Sequence, residues 1–246
     1  MHPRQGGGLH FSYADTGSIL KEVEVSGNSA EDGAGLDIWW STTNMTSLTI
    51  TNNTASDAGG GVRLWETTSS ITSTTISNNT ATSDNGGGMS VQYGSSVTIN
   101  TSTISNNTAG NRGAGISLRG KNGDNLTLSM TDSTISNNTA TYDGGGLNIG
   151  SYSDVTLATC SITDNSADSG GGLYLEGGQV NEDYDYTSTL SVTDVSWGNA
   201  TDDNDNSAQE LTVQNNSYAS FDWHDLDADE SFTCDTSADP VCTFEE

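Results

Sequence analysis

One motif recurs six times along the 246 residues, and its spacing rules out most ways of folding the chain. It runs as an apolar residue, two polar residues, Asn, one residue, Ala, a short gap, three small residues ending in Gly, then apolar-x-apolar. Val25 to Ile38 (VSGNSAEDGAGLDI), Ile50 to Leu64 (ITNNTASDAGGGVRL) and Ile76 to Val91 (ISNNTATSDNGGGMSV) are the first three copies. Ile104 to Leu118, Ile135 to Ile149 and Ile162 to Leu175 are the rest. The motif's Asn falls at Asn28, Asn53, Asn79, Asn107, Asn138 and Asn165, a period of 25 to 31 residues. A fixed period in that range belongs to repeat units that stack on one another.

Within each period, short segments alternate apolar and polar, as in Val97-x-Ile99, Ser102-x-Ile104 and Ile116-x-Leu118. Alternation of period two marks half-buried strands, and no window has the i, i+3, i+4 spacing of a helix. Three short strands per repeat describe one coil of a parallel β-helix, with coils about 4.8 Å apart. The chain length then predicts seven to eight coils. Ile50, Ile76, Ile104, Ile135 and Ile162 are expected to stack inward. So are Leu36, Val62, Met89, Ile116, Leu147 and Leu173, with their partners two residues on. The Asn row is expected at an inward corner, each amide bonding the next coil, because such ladders satisfy buried polar groups along a stack. The Gly triplets supply positive φ and close backbone approach at another corner.

The pairing of IxxN (Ile104 to Asn107) with GAGI or GGGL resembles the FxxN and GGA[ILV] repeats of the polymorphic outer membrane proteins. More broadly it resembles bacterial right-handed β-helix repeat proteins, over roughly residues 6 to 215. Ile or Val stands here for Phe, and GGG often for GGA. The resemblance implies an all-β fold, a single right-handed parallel β-helix, displayed at a bacterial cell surface, outer membrane or extracellularly as an adhesive passenger. It carries no catalytic residues.

Charge constrains the partners. The net charge is -27, from 33 acidic and 6 basic residues. Nothing beyond Lys121 is Lys or Arg, so residues 122 to 246 hold 24 acids and no base. Such a surface repels nucleic acid and anionic lipid. It also disfavours acidic polysaccharides unless cations bridge them.

Few residues suggest chemistry. Cys234 and Cys242 are close enough to close a short disulfide loop, as suits an oxidising setting. Cys160 aligns with Ser102 and Ser133 at an inward position and reads as a buried free thiol. The three His are dispersed, without ligand spacing. Asp225, Asp227 and Asp229 begin like a Ca²⁺ loop, but Glu230 stands where Gly is required, so weak structural Ca²⁺ is the most they suggest and no other cofactor is expected.

Two faces compete as functional surfaces, under three readings. Outward along the strands that follow the Gly corner run Asp37, Arg63, Ser90, Ser117, Asn148 and Tyr174, then Trp39, Trp65, Gln92, Arg119, Gly150 and Glu176. Trp39 and Trp65, with Trp40 and Arg63 beside them, suit stacking on sugar rings, so the expected partner is a glycan or another cell-surface molecule. A second face carries two hydroxyl columns around Thr49, Thr51, Thr75, Thr103, Thr134 and Thr163, similar to the threonine arrays of β-helical ice-binding proteins. A lyase or hydrolase would need a base beside bound Ca²⁺ or a spaced carboxylate pair, and one Asp with one Arg on adjacent coils supplies neither. The expectation is a non-enzymatic, adhesin-like β-helix.

The ends differ from the middle. Gly6-Gly7-Gly8-Leu9-His10-Phe11 is the second half of a repeat, which predicts an uncapped first coil and self-association there. The repeat degrades after Val195, and from residue 216 the chain becomes aromatic and acidic, reading as a cap on a β-helix of residues 1 to 215. No transmembrane segment is legible.

Overall fold

The computed structural model describes residues 6–14, 17–176, 187–197, 211–214, 220–223, 230–235 and 242–244. The described residues form no helix, and four sheets wrap one core. The first sheet runs Leu9–Ser12, Leu36–Trp39, Val62–Trp65, Met89–Gln92, Ile116–Arg119, Leu147–Ile149, Leu173–Leu175 and Leu211–Gln214, all in parallel. The second stacks Ser18–Lys21, Thr42–Thr46, Thr68–Thr72, Ser96–Asn100, Leu126–Thr131, Ser153–Ala158 and Thr189–Val195. A third, six-stranded sheet runs from Glu24–Ser26 to Ser161–Thr163.

Two features depart from the expected coil. Each turn has a fourth strand of two residues, such as Thr54–Ala55 and Thr80–Ala81, in a five-stranded sheet of its own. It is too short for alternation to reveal. The expected seven to eight levels are reached only in the first two sheets, since the third sheet has six strands and so closes about six complete turns.

Register follows the motif. Ile76 pairs with Ile50 and Ile104, and Met89 with Val62 and Ile116, so equal residues sit above one another and the inward rows are buried throughout. A four-sheet coil must turn sharply, and it does so with a left-handed residue at each of its four corners. The third-sheet corner uses Asn52, Asn78, Asn106 and Asn137, all at φ 54 to 56°, with Gly27 and Asp164 in the equivalent places. The first Asn of each NN pair therefore makes the turn, as Asn tolerates this region better than most residues. The second points inward.

That second Asn builds a ladder. Asn107 Oδ1 accepts the Asn79 backbone N–H at 2.9 Å and its Nδ2 at 3.1 Å, while Asn107 Nδ2 donates to Ile76 O and Asn138 Oδ1, both at 3.0 Å. The arrangement repeats at Asn53, Asn79 and Asn138, each essentially buried. Similar hydroxyl ladders occupy two of the other corners. After the left-handed Thr101 and Asp132, Ser102 N donates to Ser133 Oγ at 3.0 Å, and Ser133 Oγ donates back to Thr131 O. Cys160 takes the next rung, buried and free of disulfide, its thiol pushed up by burial first. Close approach explains the glycines at the fourth corner: a Cβ on Gly61 would stand 2.5 Å from Gly88 O and 2.9 Å from Asn79 Nδ2.

Parallel stacking stops at the C-terminal end. Ser220–Trp223 pairs antiparallel with Leu211–Gln214, and Glu230–Asp235 pairs antiparallel with Thr189–Val195 and with Cys242–Phe244. Cys234 and Cys242 face each other across the last pair in a disulfide. Phe232 is buried and stacks near Trp197, centroids 6.1 Å apart, covering the last core layer. Asp225, Asp227 and Asp229 lie outside the described residues.

Candidate functional site

The row Asp37, Arg63, Ser90, Ser117, Asn148 and Tyr174 points away from the core, yet each of these residues is buried. Alternation assigned them correctly to the outer side of the first sheet and wrongly implied solvent. The cause is the glycine corner. Gly33, Gly59 and Gly86 have φ of 55°, 71° and 73°, and this reversal carries the preceding residues back over the sheet. A Cβ at Gly59 would lie 2.9 Å from Arg63 Cβ, which shows how closely the turn overhangs the row.

Overhang and sheet enclose a groove that follows the helix axis. Asp32, Asp57, Asp84 and Asn85 form one wall of its first stretch, Arg63, Ser90 and Ser117 the floor, and Trp65, Gln92, Tyr93 and Arg119 the other wall. The next stretch shares Asp84, Asn85, Ser117 and Arg119 and continues along Asn111, Arg112, Asn148 and Glu176. Nearly every group lining it is polar.

At the closed end Arg63 is locked. Its Nε lies 2.8 Å from Asp37 Oδ1 and its Nη2 3.1 Å from Asp37 Oδ2, while Nη1 reaches Asp32 Oδ2 at 2.6 Å. Asp37 also accepts from Trp39 Nε1 at 2.8 Å and approaches His10 Nδ1 at 2.9 Å. The guanidinium bridges two buried carboxylates and donates to both, a fixed arrangement that suits a structural role. Arg63 thus lies in the groove floor with its guanidinium already paired.

The tryptophans are arranged differently from an open platform. Trp39 and Trp65 stack on each other at 5.0 Å and 14°, Trp65 meets Tyr93 edge-on at 4.3 Å, and Trp39 meets Trp40 edge-on at 5.2 Å. The Arg63 guanidinium covers Trp39 at 4.8 Å. Both rings are half-buried, each with one face taken up by the stack, and Trp65 lines the groove. Tyr13 and Trp40, stacked at 5.1 Å, remain 67% and 37% exposed and carry the accessible ring surface. Trp40 Nε1 donates to Glu66 at 2.8 Å, the main cause holding that carboxyl below its usual range, and Lys121 also approaches Glu66.

Acidic side chains crowd one wall. Asp57 is raised above its usual range by partial desolvation, then by Asp32, Asp84 and Glu31, with Arg63 opposing. Asp143 is raised by desolvation despite its 2.8 Å pair with Arg112. Among the described residues, no cluster of three or more His, Cys, Asp or Glu is arranged to hold a metal ion.

The hydroxyl columns lie elsewhere, on the third sheet. Thr49, Thr75, Thr103 and Thr134 are in register on successive coils, with Thr51, Ser77, Ser105, Ser136 and Thr163 in the second column, exposed or half-buried. Sequence reasoning missed the overhanging wall of Asp57, Asp84, Asn85 and Arg112. Its only sequence signal was an acidic or amide residue just before each glycine corner.

No described helix is long and apolar enough to cross a membrane. Comparison with curated proteins and with solved structures gives no match. One family model, described as the right-handed β-helix region, matches residues 61–222, from the second glycine corner to the antiparallel end strands. That match covers most of the chain and agrees with its stacked parallel sheets, so the protein belongs to the right-handed β-helix family.

Proposed function

We propose that this β-helix is a non-enzymatic, adhesin-like surface or secreted protein that holds a linear glycan in the groove along its first sheet. The groove itself carries the reading. It is long, runs across several coils, and is walled by carboxylates, amides and guanidinium groups with an aromatic rim. An extended chain of hydroxyl-rich rings can match such donors and acceptors at successive coils, while a compact apolar ligand finds no enclosed apolar pocket there. The disulfide Cys234–Cys242 suits an oxidising location outside the cytosol. The IxxN and GG[GA][ILV] repeats support a kinship with polymorphic outer membrane proteins, and with it display at a bacterial surface.

Glycan-array retention by the wild type tests this, followed by Gln92→Trp, which fills the groove where Gln92 is half-buried beside Ser90. Retention should fall in Gln92→Trp at an unchanged unfolding midpoint and persist in Thr103→Leu on the third sheet. The opposite pattern moves function to the hydroxyl face. Turnover of a bound polysaccharide that disappears in Asp57→Asn would replace binding by catalysis.

A further inference from the structure

Four of the six Lys and Arg residues, in a chain with 33 acids, gather around this one groove: Arg63, Arg112, Arg119 and Lys121. Three of them are neutralised. Arg63 is held by Asp32 and Asp37, Arg112 by Asp143 and Glu176, and Lys121 by Glu66 and Asp124. Arg119 is exposed at the end of Ile116–Arg119, lines both stretches of the groove, and among the described residues no carboxylate lies within ion-pair distance of it. On a surface this acidic, a cation without a carboxylate partner is the exception, because acidic neighbours are abundant.

A second observation lies beside it. Asn148, in the floor of the same stretch, is 4% exposed, and its Oδ1 has no hydrogen-bond partner among the described residues. A buried acceptor without a partner is costly, and a ligand hydroxyl or a trapped water removes the cost. Gly150, which follows Arg119 in the stack, adds no side chain between the two.

Building on the glycan reading, we infer that the groove recognises an anionic glycan without a bridging cation, Arg119 offsetting locally the repulsion of the acidic surface: its carboxylate or sulfate pairs with Arg119 and a ring hydroxyl meets the Asn148 end of the floor. Asp32 and Asp57 line only the first stretch of the groove and Asn148 and Arg112 only the second, with Arg119 in both, so the two ends differ. That difference sets the direction of the bound chain, its anionic group at Arg119 and the hydroxyl end toward Asn148.

The test compares hexagalacturonate, a sulfated galactan hexamer and neutral cellohexaose by calorimetry with the intact chain. At least one anionic hexamer should bind more tightly than cellohexaose at a salt concentration high enough to screen the net repulsion. Arg119→Ala should weaken that binding about tenfold or more and leave cellohexaose within roughly twofold, since a charge-assisted hydrogen bond is of that order. Arg119→Lys should recover part of the loss. Whichever anion binds more tightly identifies the group. Cellohexaose binding as tightly as the anions, an Arg119→Ala variant of full affinity, or anion binding abolished by a calcium chelator overturns the inference while leaving a glycan groove in place. If Gln92→Trp binds all three as the wild type does, the groove reading fails and takes this inference with it.

Discussion

Arg63 grips Asp37 of the preceding coil with two nitrogens, at 2.8 and 3.1 Å, although both residues sit on the outer side of the sheet. Asp37 is wholly buried and Arg63 is 3% exposed. The pair lies under the overhang of the glycine corner, where Asp32 closes on the same guanidinium. Such a cluster fixes the overhang at the closed end of the groove, so the shape of the binding face depends on it.

Removing the cation should therefore unfold more than the groove. Arg63→Met leaves Asp37 and Asp32 buried without a counter-charge, and breaking a buried pair costs roughly 3 to 5 kcal/mol. Chemical denaturation should show the loss, and adding Asp37→Leu should restore part of it. If Arg63→Met keeps the wild-type midpoint, water reaches the pair and the overhang is open in solution.

The Asn ladder makes a sharper demand. Asn107→Ala removes an acceptor from Asn79 and donors to Ile76 O and Asn138 Oδ1. Each buried group left without a partner costs about 1 to 3 kcal/mol, so a loss of about 3 kcal/mol or more is expected. Asn107→Asp should be at least as harmful, because a carboxylate cannot donate and would face two oxygens. A tolerated Asp would show that the amide's donors do not matter.

The acidic wall should respond to pH. Asp57 has its carboxyl raised in the folded state, so the folded protein holds that proton at pH values where the unfolded chain has lost it. The stability it contributes is therefore present at acid pH and falls as pH rises from the ordinary carboxylate range through the raised value. Asp57→Asn should slightly stabilise the protein at neutral pH and lose that advantage below about pH 4. The effect is small because Asp57 is exposed. Thermal melts across pH would show a mismatch if the mutant advantage grew toward acid.

How far these features were legible differs by residue. The stacking of Ile76 on Ile50 and Ile104 follows from a period and an alternation that any reader can count. The Asn ladder was legible for the same reason. Its neighbour Asn106 carried a weaker signal, since Gly27 and Asp164 occupy the same offset and share its left-handed backbone. Trp40, Ser73 and Thr101 make equivalent turns with no such residue preference, so the other corners were hidden. Burial of Arg63 was hidden too. Alternation reports the side of a strand, whereas the overhang depends on the path of a glycine turn from a different part of the coil. The Trp39–Trp65 stack shows the same limit: adjacency on neighbouring coils was readable, but the rings' mutual coverage was not.

Reduction of the disulfide should act locally. Cys234 and Cys242, eight residues apart, join two antiparallel strands that pair through Glu230–Asp235 onto Thr189–Val195. Opening so short a loop is expected to cost about 2 to 3 kcal/mol in chain entropy. In a stacked fold each coil contacts only its neighbours, so the loss need not spread. Under reductant, hydrogen exchange should deprotect residues 230–235 and 242–244 first, then Thr189–Val195 against which they lie, while Ile104 and Ile135 stay protected. Cys160 serves as the internal control, because its buried thiol, with a raised pKa, should resist alkylation until the coils themselves open. Deprotection of every coil together with alkylation of Cys160 would mean that the end strands and the stack unfold as one cooperative unit.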